Sequence, residues 1–314
     1  MTKSKIKYAV VCLILALFGA AIVIYPERYV DGCLQGFLMW AECVLPSLFP
    51  FMIIALVLIK TGAAEKASLP LKRVTNFFKL PQSAAICFVL SIFSGYPAGS
   101  KVVAEFYDGG ALSTADCRRL APLCSTSGPL FIIGSVGLKM FQDKFAGVKI
   151  FIAHIIAVLV TGLLYSFFSK RTASEPPKRL ARSENLLYDT FYGAIISVAV
   201  AGGFIAFFYT FAQFLQDFNV FYPLNAALTP LIGESTAEAL TSGLVEVTTG
   251  CRQLSATGSP LIVPIAGFLI TFGGVSILLQ QLSHLQRTGV SAFKFIAFKF
   301  LQGVLCFLLL LIAP

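Results

Sequence analysis

Residues 84–106 read AAICFVLSIFSGYPAGSKVVAEF. The run is long and apolar enough to cross a bilayer, which takes about 20 residues as a helix. Its centre nevertheless carries Ser94-Gly95-Tyr96-Pro97-Ala98-Gly99. Pro97 has no N–H and cannot close a helical hydrogen bond, and its small neighbours let the chain turn. Backbone groups freed at bilayer depth find no water, so such a break belongs inside protein or beside a cavity. The stretch therefore predicts a membrane protein built from discontinuous helices.

Composition agrees. Hydrophobic residues make up 57% of the 314 and charged residues 12%, about half the charged share of a soluble domain. Further spans are predicted at roughly 8–24, 43–59, 147–168, 187–214, 261–282 and 294–312, beside 84–106 itself. The run at 8–24 follows Lys3, Lys5 and Lys7. It reads as an uncleaved first helix, because no small-x-small cleavage site follows it. Segments 117–140 and 226–250 are apolar but interrupted by Gly, Pro, Ser and Thr, and read as re-entrant hairpins or half-helices. The net charge of +9 does not point to nucleic acid, because the basic residues sit between spans. The eight Cys are scattered without a CxxC pair and read as small apolar side chains.

Three basic clusters set the expected orientation: the N-terminal lysines, the stretch from Lys60 to Lys79, and the stretch from Lys170 to Arg182. The positive-inside rule puts all three in the cytoplasm, with residues 26–42 and 216–230 outside. The chain then divides into an N-terminal helix (1–29), a first half (30–169), a basic cytoplasmic linker (170–185) and a second half (186–314). Phe93-Ser94-Gly95 and Phe272-Gly273-Gly274 are each followed by a glycine fifteen positions on, at a constant offset of 179. With the charges of their flanking loops, this reads as an inverted-topology repeat.

Three other breaks carry polar groups. Ser125, Thr126 and Ser127 precede Gly128-Pro129, where a helix can start with hydroxyls at its N-terminus, a setting that suits a carboxylate or phosphate. Glu246, with Thr248 and Thr249, places a carboxylate in an apolar run, which is costly unless it serves a purpose. Gly273 and Gly274 lead into Ser276 and Gln280, small and amide groups able to contact a ligand or a close-packed helix. These four segments supply the candidate substrate-binding residues: Ser94, Gly95, Tyr96, Pro97, Gly99, Ser125, Thr126, Ser127, Gly128, Glu246, Thr248, Thr249, Gly273, Gly274, Ser276 and Gln280. A Ser127–His154 hydrolase pair is conceivable on residue type but lacks a GxSxG context. No phosphate loop, dinucleotide fingerprint or zinc spacing occurs. The expectation is a non-enzymatic protein with no cofactor and no metal, working on a small-molecule solute from within the lipid bilayer, with no nucleic-acid partner.

The breaks also carry a family resemblance. SGYPAGSK at 94–101, SGPLFIIG at 127–134, AGGFI at 201–205, GLVEVTTG at 243–250 and FGGVSILLQ at 272–280 resemble, in order, the sporulation integral membrane protein YlbJ family, whose members contain a nucleoside-recognition or gate domain. The resemblance implies an all-α membrane fold of two inverted-topology repeats with broken helices and re-entrant hairpins. It implies transport of a dipicolinate- or nucleoside-like solute, a link to endospore formation, and a bacterial cytoplasmic or forespore membrane. Ser125-Thr126 stand where the family often has Asn, which leaves the ligand open. The rival expectation is a non-transporting scaffold or assembly factor. On either reading, a second copy of the chain or other sporulation membrane proteins are the expected protein partners.

Overall fold

The computed structural model describes residues 3–63, 66, 69–167 and 185–312. Among these, every regular element is helical. The chain opens with α1 (Lys3–Ile24) and α2 (Pro26–Met39), and a wide π turn at Trp40–Val44 joins α2 to α3 (Leu45–Thr61). After the short α4 (Lys72–Phe77) come α5 (Ser83–Ser94), α6 (Ala98–Asp108), α7 (Thr114–Leu123), the π-helical α8 (Leu130–Met140) and α9 (Lys144–Phe167). The second half holds α10 (Leu186–Asp217), α11 (Tyr222–Ile232), α12 (Glu234–Val245), α13 (Val247–Leu254), α14 (Ile262–Phe272), α15 (Gly274–Leu285) and α16 (Ala292–Ile312). Among the described residues, five helical stretches are long and apolar enough to cross a membrane: Pro26–Thr61, Lys144–Phe167, Leu186–Asp217, Ile262–Thr288 and Ala292–Ile312. Shorter apolar helices lie at Tyr8–Ile24, Ser83–Ser94 and Leu130–Met140. Large apolar side chains such as Leu13, Ile152, Phe293 and Leu308 stand exposed on the outer helix faces, as lipid contact requires. The linker expected at 170–185 lies outside the described residues but for its last position.

Three sequence expectations need correction. Residues 84–106 do not span. Ser83, at the start of α5, donates its hydroxyl to the carbonyl of Ala111, just beyond α6, at 3.1 Å. A continuous helix would hold those positions roughly 40 Å apart. The chain instead turns at Gly95-Tyr96-Pro97, and α5 and α6 pack side by side as a re-entrant hairpin. Apolar length alone cannot distinguish one full crossing from two half-crossings. Residues 26–42, which stand outside the predicted spans, are helical: Pro26 starts a helix that runs on to Thr61. Tyr29, Gly32, Gly36 and Met39 recur on one buried face of α2. That face lies so close to α10 that a methyl group on Gly36 would sit 2.6 Å from Ala206 Cα. Finally, the offset of 179 pairs unlike elements, since Gly95 lies at a hairpin tip while Gly273 interrupts a through-going helix.

A second hairpin forms where re-entry was expected at 226–250. α12 and α13 fold back on each other at Glu246, and Gly250 presses on Gly243 so closely that no side chain fits between them. Segment 117–140 takes the half-helix form instead, with α7 and α8 separated by the non-helical stretch 125–128. α14 and α15 are likewise two halves of one crossing, parted at Gly273.

Contacts at the helix ends sort the loops onto two faces. On one face Arg287 pairs with Asp108 at 2.8 Å, Arg118 reaches Gly289 O, and Arg119 reaches Lys79 O. On the other, Arg28 pairs with Asp217, and Tyr29 bonds the same carboxylate. Hairpin α5–α6 opens toward the first face and hairpin α12–α13 toward the second. Their tips point at each other through the middle of the protein.

Candidate functional site

Each hairpin tip rests on a helix break. A methyl group on Gly95 would lie 2.9 Å from Gly128 N, so the first tip touches the α7–α8 break backbone to backbone. A methyl group on Gly274 would lie 2.9 Å from Gly243 O, so the second tip does the same at the α14–α15 break. Gly95 and Gly274 both have positive φ, 68° and 60°, which glycine adopts without steric cost. Close approach and backbone freedom thus explain glycine at both places.

Where the four meet lies a cavity of about 30 Å³. Its polar lining is Tyr96, Ser127, Gly128, Glu246, Thr248 and Gln280, and Leu48, Phe131 and Ile277 contribute apolar walls. Glu246 is 1% exposed. Its extended backbone ends α12, and its carboxylate caps α13, accepting from Thr248 N at 3.0 Å, Thr249 N at 2.7 Å and the Thr249 hydroxyl at 2.7 Å. Helix N-terminal N–H groups favour such a charge. Among the described residues, no cation forms an ion pair with it.

The other candidate residues lie around the cavity without lining it. Ser94 donates back to Leu90 O, and Gly95 and Pro97 form the tip. Gly99 lies directly against Cys124 O, where no side chain fits. Of the three hydroxyl residues before Gly128, only Ser127 lines the cavity. Thr126 donates to Ser91 Oγ at 3.2 Å, and the buried Ser125 hydroxyl has no partner. Thr249 is committed to Glu246. Gly273 and Gly274 form the second break, and Ser276 accepts from Gln280 Nε2 at 3.3 Å.

Two buried residues outside that set hold the breaks in place. His154 on α9 accepts the Ser127 backbone N–H at Nε2, 3.1 Å away. Nε2 is therefore the bare nitrogen, and Nδ1–H donates to Thr271 Oγ1 at 2.9 Å. The imidazole takes the amide of Ser127 rather than its hydroxyl, so it does not face that hydroxyl as a base. Lys299 on α16 is fully buried and donates to Ser125 O at 2.7 Å, and Gln302, one turn on, donates to Pro122 O at 3.2 Å. A lysine inside the run 294–312 was the legible signal for this contact, since ionisable groups are rare at bilayer depth.

Beyond the second face of hairpin α12–α13 lies a second hollow, of about 790 Å³, lined by Asp217, Asn225, Glu234, Glu238 and Gln253 among others. It is wider and more polar than the first.

Membrane-spanning helices and re-entrant hairpins define an all-helical integral membrane protein. The chain is 27% identical to the sporulation integral membrane protein YlbJ of Bacillus subtilis (strain 168), over 342 aligned residues that cover 97% of this chain and 82% of that protein. This near-complete coverage supports assigning the chain to the YlbJ family, as its motifs indicated. No family model and no solved structure matches the chain.

Proposed function

We propose that this protein is a membrane transporter of a small polar or anionic solute, dipicolinate- or nucleoside-like, that works in endospore formation. The observation that carries the reading is the convergence of two re-entrant tips and two helix breaks on one small cavity, largely apolar but lined by Glu246, Tyr96, Ser127, Thr248 and Gln280. Irregular backbone at that depth is tolerated where it surrounds a polar chamber. Each half runs in the same order of long helix, hairpin, broken helix and long helix, and the two hairpins open to opposite faces. That order supports an inverted repeat in which 83–108 corresponds to 234–254 and the break at 124–129 to that at 273. The first face, which carries Lys60, Lys79, Arg118 and Arg287, is the cytoplasmic one by the positive-inside rule.

A cavity of about 30 Å³ holds a water molecule or two and is too small for a ring-bearing solute. Transport therefore requires the tips to part from the breaks, alternately toward each face. Glu246 bears on the solute. An unpaired carboxylate in the lining accepts hydrogen bonds from hydroxyl or amino groups and repels a dianion. The lining thus favours a nucleoside-like donor, and a dicarboxylate needs an accompanying cation. The reading involves no turnover of the solute.

The test is uptake of radiolabelled dipicolinate and uridine into vesicles containing the purified protein. Uptake above protein-free vesicles, reduced at least about tenfold by Glu246→Gln and by Ser127→Ala with insertion intact, supports the proposal. A sporulation defect that follows neutralisation of the basic loops but not these two substitutions would support a scaffold instead.

A further inference from the structure

Lys299 is the charge that the solute cavity does not explain. It is fully buried and does not line the cavity; its contact is Ser125 O, two residues before the cavity-lining Ser127. No ion pair reaches it among the described residues. Its ammonium sits instead at the C-terminal end of the half-helix α7. There Pro122 O is met by Gln302 and Ser125 O by Lys299. Cys124 O points at Gly99 of the first hairpin. The Ser125 hydroxyl beside them is buried and unpartnered.

The chemistry of that cluster is that of a cation site. The last carbonyls of a helix lack intrahelical donors and carry the negative end of its dipole. In carriers with broken helices, such ends and the unwound carbonyls beside them are where sodium or protons are held. Here a covalently attached ammonium reaches the cluster. The surroundings offer no competing charge. α9 contributes His154, whose two nitrogens are committed to Ser127 and Thr271. α14 contributes Thr271, the break contributes Cys124, and α16 itself contributes Cys306.

We propose that Lys299 is a built-in cation, standing at the α7–α8 break in the place of a coupling sodium ion, so that this carrier works without sodium. The inference rests on the transporter reading for its meaning, but its first test does not depend on transport. Thermal unfolding of the purified wild-type protein is compared in sodium chloride and choline chloride at equal ionic strength. The midpoint is expected to be the same in both. In Lys299→Ala the carbonyls lose their donor and the midpoint falls by roughly 5 °C or more. Sodium chloride or methylammonium chloride then restores at least half of that fall, while choline, too large for the space, does not. If Lys299→Ala does not fold, Lys299→Met, which keeps the volume, is measured in the same salts and is expected to lose stability without rescue by any of them.

A wild-type midpoint several degrees higher in sodium than in choline would overturn the proposal. So would a Lys299→Met protein as stable as the wild type. Dipicolinate or uridine uptake that stops when sodium is replaced by choline would also overturn it. Absence of uptake for both solutes in every salt would count against the proposed function alone, because the unfolding measurements still decide the role of Lys299.

Discussion

The Tyr96 hydroxyl donates to the carbonyl of Ile270 at 2.8 Å, and this bond ties the first hairpin tip to the broken crossing of the second half. Ile270 lies in the last turn of α14, where carbonyls have no helical donor of their own. Tyr96→Phe keeps the ring and leaves that carbonyl bare in a dry interior. The expected cost is about 1–3 kcal/mol, read as a lower unfolding midpoint in detergent. Because Tyr96 also lines the cavity, solute affinity is expected to change in the same variant.

Re-entry of α5 and α6 has a direct geometric test. In a background stripped of native cysteines, Ser83→Cys with Ala111→Cys is expected to be joined by a short bifunctional thiol reagent. An impermeant reagent applied to one side of the membrane should label both positions. Labelling from opposite sides would restore residues 84–106 to a full crossing.

Glycines divide sharply by surroundings. Gly250 lies against Gly243 at the closure of the second hairpin, whereas nothing lies within 4 Å of the side-chain position at Gly203 in α10. Gly250→Ala forces the hairpin open and is expected to lower stability by about 2 kcal/mol or more. Gly203→Ala, in an open helical position, is expected to be neutral or to raise stability by up to about 1 kcal/mol. Equal effects at the two sites would contradict the packing described for α12 and α13.

His154→Ala removes the acceptor for Ser127 N and the donor to Thr271 at once. A buried amide left unpaired costs about 1–3 kcal/mol, so a clear loss of thermal stability is expected. His154→Phe fills the volume but restores neither bond. It should behave like the alanine variant, not like the wild type.

The class of protein was legible because apolar runs and their basic flanks are local properties. The breaks were legible for the same reason: Pro97, Pro129 and the glycine pair 273–274 announce themselves in sequence. What a break does was not. Residues 84–106 and 261–282 look alike as apolar runs with a flexible centre, yet one turns back and the other continues. The difference lies in what packs against each break, Gly128 against Gly95 in one case and Gly243 against Gly274 in the other, and those partners are distant in sequence. The same holds within the site. Ser125, Thr126 and Ser127 are adjacent, but only Ser127 lines the cavity, while the Thr126 hydroxyl donates to Ser91 and the Ser125 hydroxyl is buried without a partner. Lys299 shows the opposite case, a plain local signal whose partner, Ser125 O, could be found only in three dimensions.

The contact between Tyr96 and Ile270 also fixes an order of assembly. Ribosomes deliver the first hairpin some 170 residues before its acceptor, and the Lys299 amine later still. Until then the nascent amino-terminal portion carries open polar backbone in an oily setting, a state that membrane quality-control proteases recognise. A chain cut short within the linker should therefore be degraded when made alone and rescued when the remaining portion is supplied as a separate polypeptide.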